Sequence, residues 1–416
     1  MLNKYMFWKR NRKSGTKNRA VVAFDFGSSS VKLLACRYQE EAVEILGGRK
    51  VRYPDNAYTE AGVRITDSLA LLLKESFIAL TSEFPEEKFD KGIVGFGGSF
   101  VEGFTSQINY RRAHPEKIMS ETEVERIFQQ ISDRANQLMR KMIAWETEEQ
   151  EAGLISSEII EISIDGYPIA SPQGSSGNRL SVVVYNAYTR AQLLKDVLKT
   201  VRGLGLEIIL ATSTMYSILR QVAEGRKIDS FAMLDIGGFG TELGVVQGGR
   251  ILGHMGFDVA GGSFTASIAQ ELKIEFIEAE LRKLQFSAGK LQSEDAKEIR
   301  GFIEYDCKVF SSGVELVMRE FPGLQQTPHE IYVVGGASLL PGVVASLHSL
   351  VISADTNSGV PPVTSEMPPQ QLPGWRDLTG TLNSPADVPI LCLALDAADL
   401  VWDDSDHPSF LPNVFK

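Results

Sequence analysis

The sequence predicts a two-lobed α/β fold, built from two related halves and a smaller module inserted in the first half. A short apolar run ends at Asp235, a glycine-rich turn follows, and a second apolar run occupies residues 243–246. The same strand–turn–strand pattern occurs earlier, in residues 20–34, around Asp25 and Gly27. Two copies of one strand–turn–strand pattern indicate two related halves of the protein that close on one ligand.

The residues of these turns favour the binding of an anion together with a metal ion. Glycines allow backbone N–H groups to approach an anion without a Cβ in the way. An acidic residue at the end of the preceding strand, as Asp25 and Asp235 are, can hold a metal-bound water. Either copy alone would be a weak signal, because many such turns are only tight hairpins.

Composition sets the broad class. The chain has 416 residues, 43 % of them hydrophobic, which suffices for two or three domains with real cores. A formal net charge of −11 argues against a nucleic-acid surface spread over the whole molecule, so we expect no nucleic-acid partner. The three cysteines are odd in number and widely spaced, which indicates neither a disulfide framework nor a metal cluster.

The two ends of the chain differ sharply in charge. Residues 1–18 mix aromatic side chains with lysines and arginines, whereas residues 403–416 are acidic and interrupted by prolines. The first segment fits an interfacial membrane anchor, because basic residues attract anionic lipid and aromatics enter the headgroup region. It equally fits a solvated, irregular start.

The first half predicts strands at residues 42–51 and 62–66, then a helix at residues 68–81. The inward side chains of this helix are predicted to be Leu69, Leu72, Leu73 and Phe77. From residue 91 the pattern changes to strand, helix, strand, strand. Its helix opens at Ser120 with Glu123 as a capping box and runs to about residue 145, and the strands at 155–164 and 180–188 flank a loop at 165–178.

The second half returns to alternating strands and helices. We expect helices at residues 189–204 and 212–223 around a strand at 207–211, and a helix capped by Ser263 that runs to residue 272. Further helices are predicted at 276–284 and 293–321. A strand at 331–334 ends in Gly335 and Gly336 before a helix near residue 342, residues 360–374 read as a surface loop, and residues 388–402 form the last element.

Three of these segments together resemble the bacterial actin-like ATPases of the FtsA and PilM type, FtsA more nearly. FDFGSSSVKLL is similar to the phosphate-1 loop of that family, DIGGFGTELGVV and the following residues to its phosphate-2 hairpin, and VVGGASLLPG to its adenosine motif. The resemblance covers residues 20–402. It implies an actin-like fold of the ribonuclease-H-like class, with a strand–helix–strand–strand (SHS2) module in place of one actin subdomain.

The resemblance also implies a site for ATP and Mg²⁺. Asp25 and Asp235 would position the metal through water, Lys32 would reach the phosphates, and Asp235 and Thr241 would be the catalytic residues. The remaining nucleotide-binding positions would be Gly27, Ser28, Ser29, Gly237, Gly238, Gly262, Glu280, Lys283, Gly335, Gly336 and Ala337.

The chain departs from the family pattern in the second turn, where Phe239 and Gly240 stand in place of the usual glycine and threonine. We therefore expect a weak ATPase at most. The segment 287–298 is shorter than in FtsA, and the basic-aromatic segment is N-terminal, whereas the membrane helix of FtsA is C-terminal.

The predicted domains follow from these assignments. Residues 19–90 and 189–225 form the first lobe, residues 91–188 the inserted module, and residues 226–402 the second lobe with a helical subdomain at 262–325. The last helix, 388–402, is expected to pack back on the first lobe. The tails at 1–18 and 403–416 lie outside both lobes.

Three functions are compatible with this organisation. The first is an ATP-binding scaffold for cell division that links an FtsZ-like polymer to the inner face of the cytoplasmic membrane and self-associates into a filament or dimer. The alternative is a PilM-like cytoplasmic adaptor that binds a short peptide of a membrane partner in type IV pilus assembly. A small-molecule kinase is disfavoured, because such an enzyme needs a carboxylate base that faces a substrate hydroxyl, and the sequence offers none.

Overall fold

A computed structural model describes residues 19–39, 42–54, 57–59, 62–140, 151–324, 327–348, 350 and 362–402. The predictions for the two tails and for the end of the helix near residue 145 lie outside these residues. The first strands are β1 (Arg19–Phe26), β2 (Ser30–Tyr38), β3 (Val43–Arg52), β4 (Tyr58–Thr59), β5 (Gly62–Val63), β6 (Phe89–Phe96), β7 (Glu102–Arg111), β8 (Ala152–Ile164) and β9 (Tyr167–Pro168). The others are β10 (Arg179–Arg190), β11 (Glu207–Ser213), β12 (Phe231–Ile236), β13 (Thr241–Gln247), β14 (Arg250–Phe257), β15 (Glu330–Val334), β16 (Val363–Glu366) and β17 (Trp375–Asp377).

The helices cover the sheets and fill the space between them. They are α1 (Asp67–Thr81), α2 (Glu121–Arg140), α3 (Ala191–Arg202), α4 (Thr214–Arg226), α5 (Gly261–Leu272), α6 (Phe276–Ser287), α7 (Ser293–Arg319), α8 (Val343–Leu347), α9 (Val388–Asp396) and α10 (Ala398–Trp402). Among the described residues, no helix is long and apolar enough to cross a bilayer.

The two lobes repeat one strand arrangement. In the first, β1, β2 and β3 form an antiparallel meander, β6 lies parallel beside β1, and β11 lies parallel beside β6. In the second, β12, β13 and β14 form the meander, and β15 and β16 follow on the other side of β12, again in parallel. The predicted two-lobed α/β fold is therefore confirmed.

Two helices lie between the sheets. α4 packs on β13 and β14, while α9 packs on β1, β2 and β6, and the two helices contact each other. A buried carboxylate fastens them, since Ser217 Oγ donates to Asp396 Oδ2 at 2.9 Å and Arg220 Nη1 donates to Asp396 Oδ1 at 2.6 Å. Helix α9 thus becomes part of the core of the first lobe.

The module continues the sheet of the second lobe. Its strands follow the order β7, β10, β8, β9, and β7 pairs with β14 at Gly253↔Phe104 and His254↔Gly103. A Cβ at Gly253 would collide with the Gly103 carbonyl, so glycine permits this close pairing. The preceding strand β6 belongs instead to the sheet of the first lobe, which places the start of the module's own sheet at β7.

Some local predictions were wrong. In α1, Leu69 and Leu73 are buried, but Leu72 is 40 % exposed, because it lies about 100° around the helix from Leu73. Residues 360–374 contain more than a loop: β16 is a proline-free stretch between prolines and pairs with β15 at the sheet edge. The last element breaks into α9 and α10 at Ala397.

Helix starts also differ from the predictions. Ser263 does not cap α5, which begins at Gly261; its hydroxyl accepts from the Ala260 N–H at 3.2 Å. Only half of the capping box of α2 forms: the Glu123 N–H donates to Ser120 Oγ at 3.2 Å, but the Glu123 carboxylate pairs with Arg112. The predicted helices at 189 and 212 begin two residues later, since β10 and β11 extend to Arg190 and Ser213.

Candidate functional site

Two carboxylates, one buried and one half-buried, lie near the ends of equivalent strands. Asp25 ends β1 and is 5 % exposed, and Thr214 Oγ1 donates to its Oδ1 at 2.8 Å. Burial raises the pKa of Asp25, while the charge of Lys32 and the Thr214 hydrogen bond act in the opposite direction. Thr214 is the first residue of α4, so this inter-sheet helix positions the carboxylate.

Asp235 occupies the equivalent place on β12. Burial raises the pKa of Asp235 to about 7, and the charges of Glu242 and Asp25 contribute to the increase while Lys32 opposes it. Gly335 follows the neighbouring strand β15 with φ 91°, and a Cβ there would collide with the Asp235 carboxylate. Gly335, which has no side chain, thus leaves room for the carboxylate of Asp235.

The two turns touch each other across the lobes. Ser28 Oγ accepts hydrogen bonds from the N–H groups of Gly238 at 3.1 Å and Phe239 at 3.2 Å. A side chain at Gly237 or Gly238 would collide with Ser28 or Ser29, so this approach requires glycines. Adjacent backbone donors that converge on one oxygen are also what binds an oxygen of a phosphate group.

Lys32 belongs to both the first turn and the C-terminal segment. It lies opposite Asp25 in the β1–β2 ladder, and its ammonium donates to the Ala386 carbonyl in the turn before α9. Its charge acts on both Asp25 and Asp235. A single cation is therefore shared between the acidic residues of the two lobes.

Glu280 and Lys283 of α6 form a buried group with the start of α5. Lys283 Nζ donates to the Gly261 carbonyl and to Thr265 Oγ1, each at 2.7 Å, and lies 2.7 Å from Glu280 Oε2. Burial alone would raise the pKa of Glu280, but the Lys283 ammonium outweighs it and the pKa is lowered. These contacts fasten α6 to the helix start that faces the second turn.

Phe239 packs behind the second turn. Its ring lies against Gly262, where a Cβ would come within 2.7 Å of the ring, and it stacks on Phe276 with centroids 6.4 Å apart. The Gly262 N–H donates to the Gly238 carbonyl, which links the start of α5 to the turn. The residue that departs from the family pattern therefore joins the turn to α5 and α6.

The structure thus brings most of the predicted positions to one cleft. Ala337 lies beside Gly261, while Gly336 has open space around it. Gly27 belongs to the first turn, where its N–H donates to the Ser30 carbonyl at 3.1 Å. Thr241 is fully buried and donates to the Val259 carbonyl at 2.7 Å, so its catalytic role stays a prediction.

Sequence reasoning missed a buried polar group beside the cleft. Glu242 Oε2 accepts from the Gly98 N–H at 2.6 Å, and burial raises the pKa of Glu242 to about 8. His254 Nε2 lies 2.8 Å from Ser213 Oγ, and its Nδ1 lies 3.4 Å from Glu242 Oε1. One signal could have revealed Glu242: it follows Asp235 at the same spacing at which Lys32 follows Asp25.

Comparisons with known proteins identify the fold. No protein-family model matches the chain, and no curated protein matches its sequence. Among solved structures, the chain is similar to one described as a PilM-PilN type IV pilus biogenesis complex, with a TM-score of 0.66 and 16 % identity over 92 % of this chain and 99 % of that one. It is also similar to the ethanolamine utilization protein EutJ from Carboxydothermus hydrogenoformans, with a TM-score of 0.51 and 14 % identity over 92 % of this chain and 91 % of that one.

At such identities the likeness concerns the fold and not the function. The nearer resemblance to FtsA rests on the sequence motifs alone. The chain has the actin-like fold, in two lobes with an inserted module.

Proposed function

We propose that the chain binds ATP with Mg²⁺ in the cleft between its lobes and acts as a nucleotide-dependent adaptor for a partner protein. The observation that carries this proposal is the meeting of the two turns, in which the N–H groups of Gly238 and Phe239 converge on Ser28 Oγ. A phosphate oxygen that took these donors would be held by both lobes at once.

The residues present fit the two ligands. Asp25 is buried and Asp235 half-buried, and desolvation raises the pKa of both carboxylates, an effect that a nearby cation opposes. Mg²⁺ would neutralise charge on the phosphates, with these carboxylates orienting its water ligands. Lys32 balances the remaining charge, and the glycines of the second turn leave its N–H groups accessible to phosphate.

Equilibrium binding tests this part. Calorimetric titration of the full chain with Mg·ATP should give saturable binding, and Lys32→Met should weaken it by about tenfold or more, because a charged hydrogen bond is lost. Lys74→Met on the exposed face of α1 is the matched control and should bind like the wild type. Absence of saturable binding to the wild type would refute the proposal.

The adaptor role concerns the coupling of the cleft to the module. His254 pairs with Gly103 on β7 of the module, and Glu242, two strands from β7, accepts a hydrogen bond from the N–H of Gly98, in the connection between β6 of the first lobe and β7. A change of lobe closure would therefore act directly on the module's sheet. The similarity to the PilM–PilN structure favours a short peptide of a membrane protein as the partner.

A second candidate is the division scaffold. The phrase DLTGTLNSPADVPILCLALDA, which resembles the ending of FtsA, supports it, and Ala386 within this phrase accepts the Lys32 hydrogen bond. On this hypothesis the chain self-associates on the inner face of the cytoplasmic membrane and binds an FtsZ-like polymer.

Sedimentation with anionic liposomes separates the two roles. The full-length chain and a form that starts at Asn18 would each be centrifuged with vesicles, with and without Mg·ATP. ATP-dependent pelleting that is lost on truncation would support the scaffold anchored by residues 1–18. No pelleting in any condition, with stoichiometric capture of one peptide, would support the adaptor.

A further inference from the structure

The end of β3 is bound to the first turn. The Tyr53 N–H donates to the Ser29 carbonyl at 3.3 Å, and Tyr53 Oη donates to the Gly27 carbonyl at 2.7 Å. Tyr53 directly follows Arg52, the last residue of β3. The strand that precedes Tyr53 is therefore held against the turn that carries Gly27, Ser28 and Ser29.

Three cationic side chains share one face of this strand pair. In the β2–β3 ladder, Lys50 lies opposite Lys32 and Arg52 lies opposite Ser30. Directly opposed residues of an antiparallel pair project to the same face, and so do residues two apart on one strand. Lys32, Lys50 and Arg52 therefore form one basic cluster, of which sequence reasoning identified only Lys32.

The cluster faces the cleft. Lys50 reaches solvent, but partial desolvation by neighbouring protein and the like charges of Lys32 and Arg52 lower its pKa. Asp387 and Glu280 act on Lys50 in the opposite direction, and Arg52 helps to lower the pKa of Glu280 on α6. Carboxylates of α6 and of the turn before α9 thus lie close enough to act on the cluster, as expected if this strand face borders the cleft.

The balance of charge in this group favours an anion. Lys32 is shared with Asp25 and Asp235, so Lys50 and Arg52 are the additional cations. Of the two carboxylates that act on Lys50, Glu280 is itself paired with Lys283. Like charges held this close repel one another, and a polyanion would relieve that repulsion. The control position lies on the same strand: Arg49 projects to the other face and pairs with Glu83.

We propose that Lys50 and Arg52 bind the polyphosphate of the nucleotide together with Lys32, so that the cleft selects nucleotides by the number of their phosphates. This inference rests on the proposed nucleotide function and assigns residues to it. Tyr53 is a positioning residue in this arrangement, since its hydroxyl holds the Gly27 carbonyl of the turn.

A competing role for the same charges is a latch, in which Arg52 and Lys50 close the lobes by pairing with Glu280 and Asp387. The two roles differ in their dependence on phosphate. A latch would affect every ligand of the closed cleft equally, whereas phosphate binding would affect ATP more than ADP and leave adenosine unchanged.

The test is the affinity of the full chain for adenosine, ADP and ATP in the presence of Mg²⁺, for Lys50→Met, Arg52→Gln and the control Arg49→Gln. We expect each cleft variant to lose about tenfold or more in ATP affinity, less in ADP affinity and nothing in adenosine affinity. The loss should shrink at high salt, because exposed charges are screened. Arg49→Gln should match the wild type, and thermal unfolding would verify that all three variants are folded.

Two results would overturn the inference. An equal loss for adenosine, ADP and ATP would assign Lys50 and Arg52 to the latch, and unchanged ATP affinity in both variants would remove them from the site. Either outcome leaves the proposed function standing if Lys32→Met still weakens ATP binding. Failure of the wild type to bind ATP would instead refute the proposed function itself.

Discussion

The two lobes place opposite charges at equivalent positions of the same backbone pattern. In the first lobe, Asp25 pairs in register with Lys32; in the second, Asp235 pairs in register with Glu242. Both pairs join the end of one strand to the start of the next across a turn. The two lobes therefore share this backbone geometry but differ in charge. At these positions the first lobe has an acid opposite a cation, and the second lobe has two acids opposite each other.

This difference explains the electrostatics of the cleft. Lys32 opposes the rise in the pKa of Asp25, while Glu242 adds to the rise in the pKa of Asp235. The two turns are also complementary in shape, because Ser28 and Ser29 of the first turn pack against Gly237 and Gly238 of the second. A duplicated fold thus yields complementary halves, and a ligand with both a cation and anionic groups would suit them.

Replacing the titratable carboxyl of Glu242 should have the largest effect, which is on the pH dependence of stability. Burial raises the pKa of Glu242 to about 8 from an ordinary 4.5. Between these values the unfolded chain releases a proton that the folded chain keeps, so stability should fall as pH rises. One group contributes a slope of up to about 1.4 kcal/mol per pH unit. Glu242→Gln should make the slope less steep from pH 5 to 8 in nucleotide-free denaturation measurements, and the slope that remains should come from Asp235, Glu102 and Glu158, whose pKa values burial raises to about 7.

An unchanged slope in Glu242→Gln would show that this carboxyl does not keep its proton in the folded protein. Glu161→Gln in β8 of the module, where Glu161 pairs with Arg250, is the control and should leave the slope as it is.

Gly335→Ala tests how closely the backbone at Gly335 packs against the carboxylate of Asp235. The new Cβ would collide with the Asp235 carboxylate and the Ile236 backbone at a φ of 91°. We expect a loss on the order of 3 kcal/mol in the free energy of unfolding. Gly336→Ala, with open space around it, should change stability little. Equal losses in the two variants would contradict the assigned contact.

Ser213→Ala tests the contact between β14 and the first lobe. Ser213 Oγ caps α4 by accepting from the Tyr216 N–H, and it also bonds His254. We expect a loss of about 2 kcal/mol, since a cap and a buried hydrogen bond disappear together. Thr66→Ala removes the cap of α1 and an exposed contact with Ser68, and should cost about 1 kcal/mol by the same denaturation assay. If Ser213→Ala lowered the free energy of unfolding no more than Thr66→Ala, the contact between Ser213 and His254 would make no measurable contribution to stability.

The smallest expected effect is a coupling between Phe239 and Gly262. Gly262→Ala should destabilise the wild type by about 1 kcal/mol or more, because the new methyl meets the Phe239 ring. In a Phe239→Ala background the same substitution should cost less, and the double-mutant cycle measures the difference. Strict additivity would mean that the ring does not press on the start of α5.

The sequence predicted the repeat and the residues at its turns because both depend on local patterns. Asp25, Lys32 and Asp235 lie within short motifs, and their turns need only glycines and small residues. It could not give contacts between distant segments, such as Lys32 with Ala386 or His254 with Ser213. Strand register revealed Lys50, because only the β2–β3 pairing sets it opposite Lys32.

Local errors have local causes. Ser263 has the composition of a cap, but the N–H groups of Gly261 and Gly262 already bind carbonyls of the second turn, so α5 starts at the glycines. Residues 363–366 read as a loop because of the neighbouring prolines, yet β15 offers them a sheet edge. Tertiary contacts decided both cases, and the sequence around each position does not show them.

The most direct test of the account is the Mg²⁺ dependence of ATP affinity, measured by calorimetry on the wild type, Asp235→Asn and Lys32→Met, with Mg²⁺ and with a chelator. If Asp235 helps to hold Mg²⁺ and Lys32 binds the phosphates, Mg²⁺ should strengthen ATP binding to the wild type. Asp235→Asn should lose most of this Mg²⁺-dependent increase in ATP affinity. Lys32→Met should bind ATP more weakly both with Mg²⁺ and with the chelator, but Mg²⁺ should still increase its affinity. Equal Mg²⁺ dependence in the wild type and Asp235→Asn would contradict the assignment of Asp235 to the metal ion.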